Sequence, residues 1–175
     1  KLNHELEQMR ADAKTPVCLA VDQTLIGVIA IADPIKSDSF KAVSMLHQLG
    51  IHTVMLTGDD PVTAKTIADQ IGIHDVHAGI LPTQKAEIIQ SIQQKHKVMM
   101  VGDGINDAPA LTQADIGCAI GNGSDIAIDS AQIILMNPNL TDVPWAIRLS
   151  RKTMAKIKQN LFWAFIYNTL SIPIA

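Results

Sequence analysis

Cysteine is nearly absent from this chain. Cys18 and Cys118 stand far apart in apolar, strand-like runs. No paired spacing supports a zinc site or a disulfide framework, so both are expected to be buried, reduced thiols. Aromatic residues are also few, and all except Phe40 lie at or beyond Trp145, which sets the C-terminal segment apart from the rest. Neither sign of charge is in large excess: the net charge of −3 argues against nucleic acid as a partner. No secretory leader is expected from this start, because Lys1-Leu-Asn-His-Glu is charged and has no apolar core. An initiating Met is missing too, from which a start in mid-protein is expected. The six histidines are scattered, and His74 and His77, the closest pair, read as surface or loop residues.

What remains is a chain of 175 residues, 47% hydrophobic and 18% charged, enough for one compact α/β domain with a proper core. Helical spacing of Leu2, Leu6 and Met9 predicts a helix over 2–13. Alternation over 17–32 with a polar break at Asp22-Gln23 predicts a β-hairpin. Ser37 is expected to cap a helix ending near Leu49, with Gly50 as its stop. Strands are then expected at 53–57, 76–80, 97–101, 116–120 and 132–136. Helices are expected between them at 61–71, where Asp60-Pro61 supplies a cap and a first-turn proline, and at 82–94 and 106–114. This β-α alternation predicts a doubly wound parallel sheet.

The rhythm ends near residue 140. A helix over 141–160 carries Arg148, Arg151, Lys152, Lys156 and Lys158, and the run Leu161 to Ala175 has no charge at all. As a helix that run spans about 22 Å, less than the ~30 Å hydrocarbon core. A basic helix leading into an apolar run reads as a stalk entering a membrane from the cytoplasm.

The chemistry concentrates at strand ends, where ligands bind in open α/β sheets. Asp103 and Asp107 flank a glycine turn in Gly102-Asp-Gly-Ile-Asn-Asp-Ala-Pro-Ala-Leu111. Two carboxylates there suit a hard cation such as Mg2+. Thr57-Gly58-Asp59 ends an earlier strand, and its hydroxyl and amides suit phosphate oxygens. Lys85, in Pro82-Thr-Gln-Lys at a helix start, would neutralise a phosphoryl group. Asn106 would donate a hydrogen bond beside Asp103. Phosphoryl transfer needs a metal, a lysine and fixed donors together. Gly121-Asn-Gly123 lacks the third glycine of a dinucleotide fingerprint.

Asp33-Pro-Ile-Lys36, Thr57-Gly-Asp59, Pro82-Thr-Gln-Lys85 and Gly102 to Leu111, followed by Gly121 to Ala131, resemble the haloacid-dehalogenase-like superfamily. Within it they resemble the phosphorylation domain of P-type cation-transporting ATPases. The resemblance implies a Rossmann-like sheet, Mg2+ as cofactor, ATP as substrate and an aspartyl-phosphate intermediate that drives transport. Thr57, Gly58, Asp59, Lys85 and Asn106 would be catalytic or phosphate-binding, and Asp103 and Asp107 would bind Mg2+. It also implies three parts: residues 1–32 as the end of a nucleotide-binding domain, 33–140 as the phosphorylation domain, and 141–175 as a stalk and truncated transmembrane helix.

Asn160-Leu-Phe-Trp-Ala-Phe-Ile-Tyr-Asn168 resembles the copper(I) branch, which implies Tyr167 and Asn168 as ligands of transported Cu+. That branch implies copper export, a copper chaperone and membrane lipid as partners, and a multi-pass protein of a bacterial inner or plasma membrane with residues 1–160 cytoplasmic. The chain departs from the family pattern in three ways. It lacks the nucleophile stretch Asp-Lys-Thr-Gly-Thr, it lacks the cysteine-proline-cysteine ligands, and it has Asp60 where Asn is usual. It is therefore not expected to turn over alone. Two alternatives stand beside this reading: a soluble phosphatase with Asp22 as nucleophile, and a non-catalytic pump segment.

Overall fold

The computed structural model describes residues 2–12, 14–31, 34–102, 105–121 and 129–174. Helix α1 (Leu2–Ala11) packs against strand β1 (Thr15–Val21), which pairs antiparallel with β2 (Thr24–Ile31). Asp22 and Gln23 form the connecting loop at φ 46° and 64°. These left-handed values are what a two-residue hairpin needs to match the strand twist. Leu19, Val21, Ile26, Ile29 and Ile31 are exposed on the hairpin. Cys18 is exposed with them, against expectation, because strand alternation buries a residue only when a second layer covers its face.

Helix α2 (Ser39–Gln48) begins after Asp38, not at the expected cap Ser37. Gly50 stops it, at φ 73°. Strand β3 (Val54–Leu56) leads to α3 (Pro61–Ile71), and β4 (Asp75–His77) leads to α4 (Pro82–Gln93). Strand β5 (Met99–Gly102) precedes a 3-10 turn (Ile105–Asp107) that runs into α5 (Ala108–Gln113), so the expected 106–114 helix divides in two. Strands β6 (Ile116–Ile120) and β7 (Ile133–Leu135) follow, and the last helix, α6, spans Asp142–Ile174 without a break.

The pairing is parallel throughout this part. Strand β3 pairs with β4, and β5-β6-β7 form a second sheet. The two sheets share a floor: Leu56 of β3 and Met100 of β5 both pack against Ile89, Ala110 and Ala114. A second cluster, Val43, Ala68, Ile71 and Ile73, lies between α2 and α3. A third joins Cys118, Ile120 and Val143 with Leu46 and Ile147.

The start of α6 is therefore core, not appendage. Val143 and Pro144 are buried. Asp38 Oδ2 accepts hydrogen bonds from the Thr141 backbone N–H (3.0 Å) and hydroxyl (3.4 Å). At the other end of α2, Arg151 Nη1 donates to the Leu49 carbonyl at 2.9 Å. From Arg151 to Pro173 every residue is exposed save Ile166 and Ser171, which are half-buried. At about 1.5 Å per residue the whole helix is about 50 Å long. Among the described residues no helix is long and apolar enough to cross a membrane.

Candidate functional site

Thr57 continues β3, its N–H donating to the His77 carbonyl at 3.0 Å. The next loop is stitched to the one after β4. Ile80 N donates to Thr57 O at 3.1 Å, and Gly79 N donates to Asp59 O at 2.7 Å. Gly79 sits at φ 66°, where a side chain would be strained. The Thr57 hydroxyl, expected to face phosphate, donates to Asp59 Oδ2 at 2.8 Å and accepts from Asp59 N at 3.1 Å. The loop closes on itself.

Asp60 caps α3 as its position predicts. Its carboxylate accepts from the N–H groups of Val62 and Thr63 and from the Thr63 hydroxyl. Burial raises its pKa, but those hydrogen bonds and the nearby Arg10 guanidinium outweigh it and hold the carboxyl below its ordinary value. Arg10 reaches Asp60 from α1 at 3.8 Å, a contact that local sequence does not reveal because the partners are far apart in the chain.

The start of α4 is fixed by Pro82 in its first turn and by the Leu81 N–H, which donates to Gln84 Oε1 at 2.8 Å. Lys85 is thereby turned toward β5. Its Nζ donates to Asp107 Oδ1 at 2.7 Å, and the two side chains are only 14% and 15% exposed. This pair is well shielded from water, unlike a typical surface ion pair. Asp107 folds back over Gly102: a Cβ there would lie 2.8 Å from Asp107 Oδ2 and 2.9 Å from its Cβ. Glycine at 102 is the condition for that fold.

The structure thus joins the three loops at the carboxyl ends of β3, β4 and β5 through backbone bonds and the Lys85–Asp107 pair. Asn106 is exposed in the 3-10 turn. Asp103 lies outside the described residues, as do Asp33 and 122–128, so the expectations made there are not placed. Among the described residues no group of three His, Cys, Asp or Glu could hold a metal. The donor chemistry present still fits Mg2+. Asp107 supplies a hard carboxylate oxygen, and Mg2+ takes few protein ligands, completing its shell with water and phosphate. Tyr167 and Asn168 are exposed on α6, and as sequence neighbours they project about 100° apart.

Asp22 does not fit a nucleophile's place. It sits in an antiparallel hairpin turn, not at the carboxyl end of a parallel strand.

Residues 1–115 match the family described as haloacid dehalogenase-like hydrolase. The chain belongs to that family. Within this haloacid dehalogenase-like group it is 59% identical, over 97% of its length, to a copper-exporting P-type ATPase of Vibrio cholerae. It is 46% identical over its full length to copper-exporting P-type ATPase B of Archaeoglobus fulgidus. It spans 19% of the first relative and 25% of the second. Among solved structures it resembles a zinc-transporting PIB-type ATPase in the E2.Pi state, with a TM-score of 0.78 and 36% identity over 91% of this chain and 26% of that one. The catalytic domain of the CPx-ATPase CopB-B matches at a TM-score of 0.62 and 29% identity, over 74% of this chain and 52% of that one.

Proposed function

We propose that this chain is the phosphate-handling part of an ATP-driven pump that exports Cu+ across a membrane through an aspartyl-phosphate intermediate. Residues 1–32 then end a nucleotide-binding domain, 33–140 form the phosphorylation domain, and 141–175 are the stalk and the first part of a membrane helix. The observation that carries the reading is the shielded Lys85–Asp107 pair, which joins the first turn of α4 to the 3-10 turn that follows β5. It occurs in a chain 59% identical to a protein named for copper export.

In this reading Lys85 draws the transferring phosphoryl group in by charge and steadies it as its negative charge spreads. Asp107 holds the Lys85 ammonium in place and, with Asp103, is the ligand set for Mg2+. The bound ion would neutralise phosphate oxygens. Thr57 turns its hydroxyl from Asp59 to the phosphate, and the Gly58 and Asp59 amides donate beside it. Asn106 donates from the 3-10 turn. Tyr167 and Asn168 are Cu+ ligands once neighbouring helices pack against α6. A copper chaperone would deliver the cargo.

The attacking aspartate comes from sequence outside these 175 residues. Strand β3 has β4 on one side, and β5 has β6 on one side. Leu56 of β3 and Met100 of β5 pack against the same Ile89 cluster. A strand laid between them would complete one sheet and deliver an aspartate at its carboxyl end beside Thr57, Lys85 and Asp107.

The test is incubation of the chain with acetyl phosphate and Mg2+, followed by assay for a hydroxylamine-labile adduct. No adduct is expected, while Mg2+-dependent vanadate binding is expected in the wild type and lost in Lys85→Ala. An adduct that disappears in Asp22→Asn would replace this reading with a soluble phosphatase. Vanadate binding equal in Lys85→Ala would remove Lys85 from the site.

A further inference from the structure

Helix α6 sorts its cations. Both arginines are engaged by the protein: Arg151 donates to the Leu49 carbonyl at 2.9 Å, and the Arg148 guanidinium lies 5.5 Å from the Trp145 ring centre. The three lysines further along the helix, Lys152, Lys156 and Lys158, are exposed. Lys156 bends toward the apolar end, its Nζ donating to Gln159 Oε1 at 3.1 Å. No acidic residue occurs between Val143 and the last residue, so nothing on this stretch of helix offsets the cations. Beyond them Leu161, Phe162, Trp163 and Phe165 are all more than half exposed.

The axial spacing matches a bilayer surface. With Leu161 at the hydrocarbon boundary, Lys158 lies about 4.5 Å and Lys156 about 7.5 Å outside it. Both then fall within a headgroup layer about 5–8 Å thick. Lys152, about 13.5 Å out, stands within one Debye length of that layer. Arg148, about 19.5 Å out, does not reach it. Trp163 falls at the interface, where indole rings concentrate.

We propose that Lys152, Lys156 and Lys158 form a recognition surface for anionic phospholipid headgroups, which fixes the depth of α6 in the bilayer. This rests on the reading of α6 as a membrane-entry helix and adds a partner of stated charge. Arg151 holds the helix to the domain and the lysines hold it to the lipid.

The experiment is co-sedimentation of the chain with vesicles of phosphatidylcholine alone or with about a third phosphatidylglycerol, with Trp163 fluorescence as the second readout. At about one kcal/mol per lysine near a charged surface, affinity for the anionic vesicles should be higher by on the order of a hundredfold at about 0.1 M salt, where the Debye length is about 10 Å. That preference should vanish in the combined Lys152→Gln, Lys156→Gln and Lys158→Gln variant and survive in Arg148→Gln. Millimolar inorganic phosphate should not displace the chain. An unchanged preference in the triple variant, or displacement by free phosphate, would overturn the proposal. Equal binding to both vesicles would overturn it while leaving membrane entry intact, and binding to neither would remove both.

Discussion

Asp38 and Thr141 are 103 residues apart in sequence, and Asp38 Oδ2 accepts both the Thr141 N–H and its hydroxyl. The side chain that precedes α2 thus serves the start of α6. With Arg151 bonded to the Leu49 carbonyl, α2 and the first turns of α6 lie side by side and are tied at both ends. Asp38→Ala removes one of these ties and leaves the Thr141 N–H without its partner. The expected loss is about 1–2 kcal/mol, or a Tm lower by about 2–8 °C. Faster amide exchange confined to the first turns of α6 would locate the effect; exchange unchanged there would count against the tie.

The site's shape can be tested without touching a charged group. Gly102→Ala puts a methyl where Asp107 Oδ2 and Cβ now sit, under 3 Å away. Asp107 must swing out and part from Lys85. A destabilisation of about 1–3 kcal/mol is expected, together with loss of Mg2+-dependent vanadate binding. Retention of both stability and binding would show that Asp107 can hold Lys85 from another position.

Asp115 gives a pH signature away from the site. The Lys97 ammonium, the Val98 N–H and the Gln93 amide all donate to its carboxylate. Led by the Lys97 hydrogen bond, they lower its pKa to about 2 from an ordinary 3.8. The unfolded chain therefore binds the proton first. The stabilisation is complete above about pH 4 and is lost as pH falls through about 2. Wild type and Asp115→Asn should differ in stability at pH 6 and converge near pH 2, as followed by circular dichroism in urea. Parallel curves across that range would contradict the assignment.

The two thiols should separate cleanly. Burial pushes the Cys118 thiol up to about 11, while Cys18 is exposed. At pH 8 a disulfide reagent is expected to titrate one thiol in the folded chain and two in denaturant, because the thiolate is the reactive form. Cys18→Ser should abolish the native reaction. Rapid modification of Cys118 in the folded chain would mean that the β6 core opens readily.

Some of this architecture could be read from short stretches of sequence. Asp60-Pro61 and Pro82 announce their helices because caps and prolines act within one turn. Asp22-Gln23 announces its hairpin because two-residue turns are local. Ile116–Ile120 reads as a strand because it is an apolar run bounded by polar residues. Other features were not legible. The Thr57 hydroxyl is held by Asp59, although threonine at a strand tip equally suits a phosphate. Cys18 is exposed, although its run alternates like a covered strand.

The sequence by itself determined the α/β class, the order of the elements and the candidates Thr57, Lys85 and Asp107, because periodicity, caps and motif spacing are properties of neighbouring residues. The tertiary structure decided which candidates touch: Lys85 with Asp107, Arg10 with Asp60, Asp38 with Thr141. Those pairs span 22 residues or more. Their geometry depends on how whole helices pack, and packing is a sum over many side chains that no short stretch records.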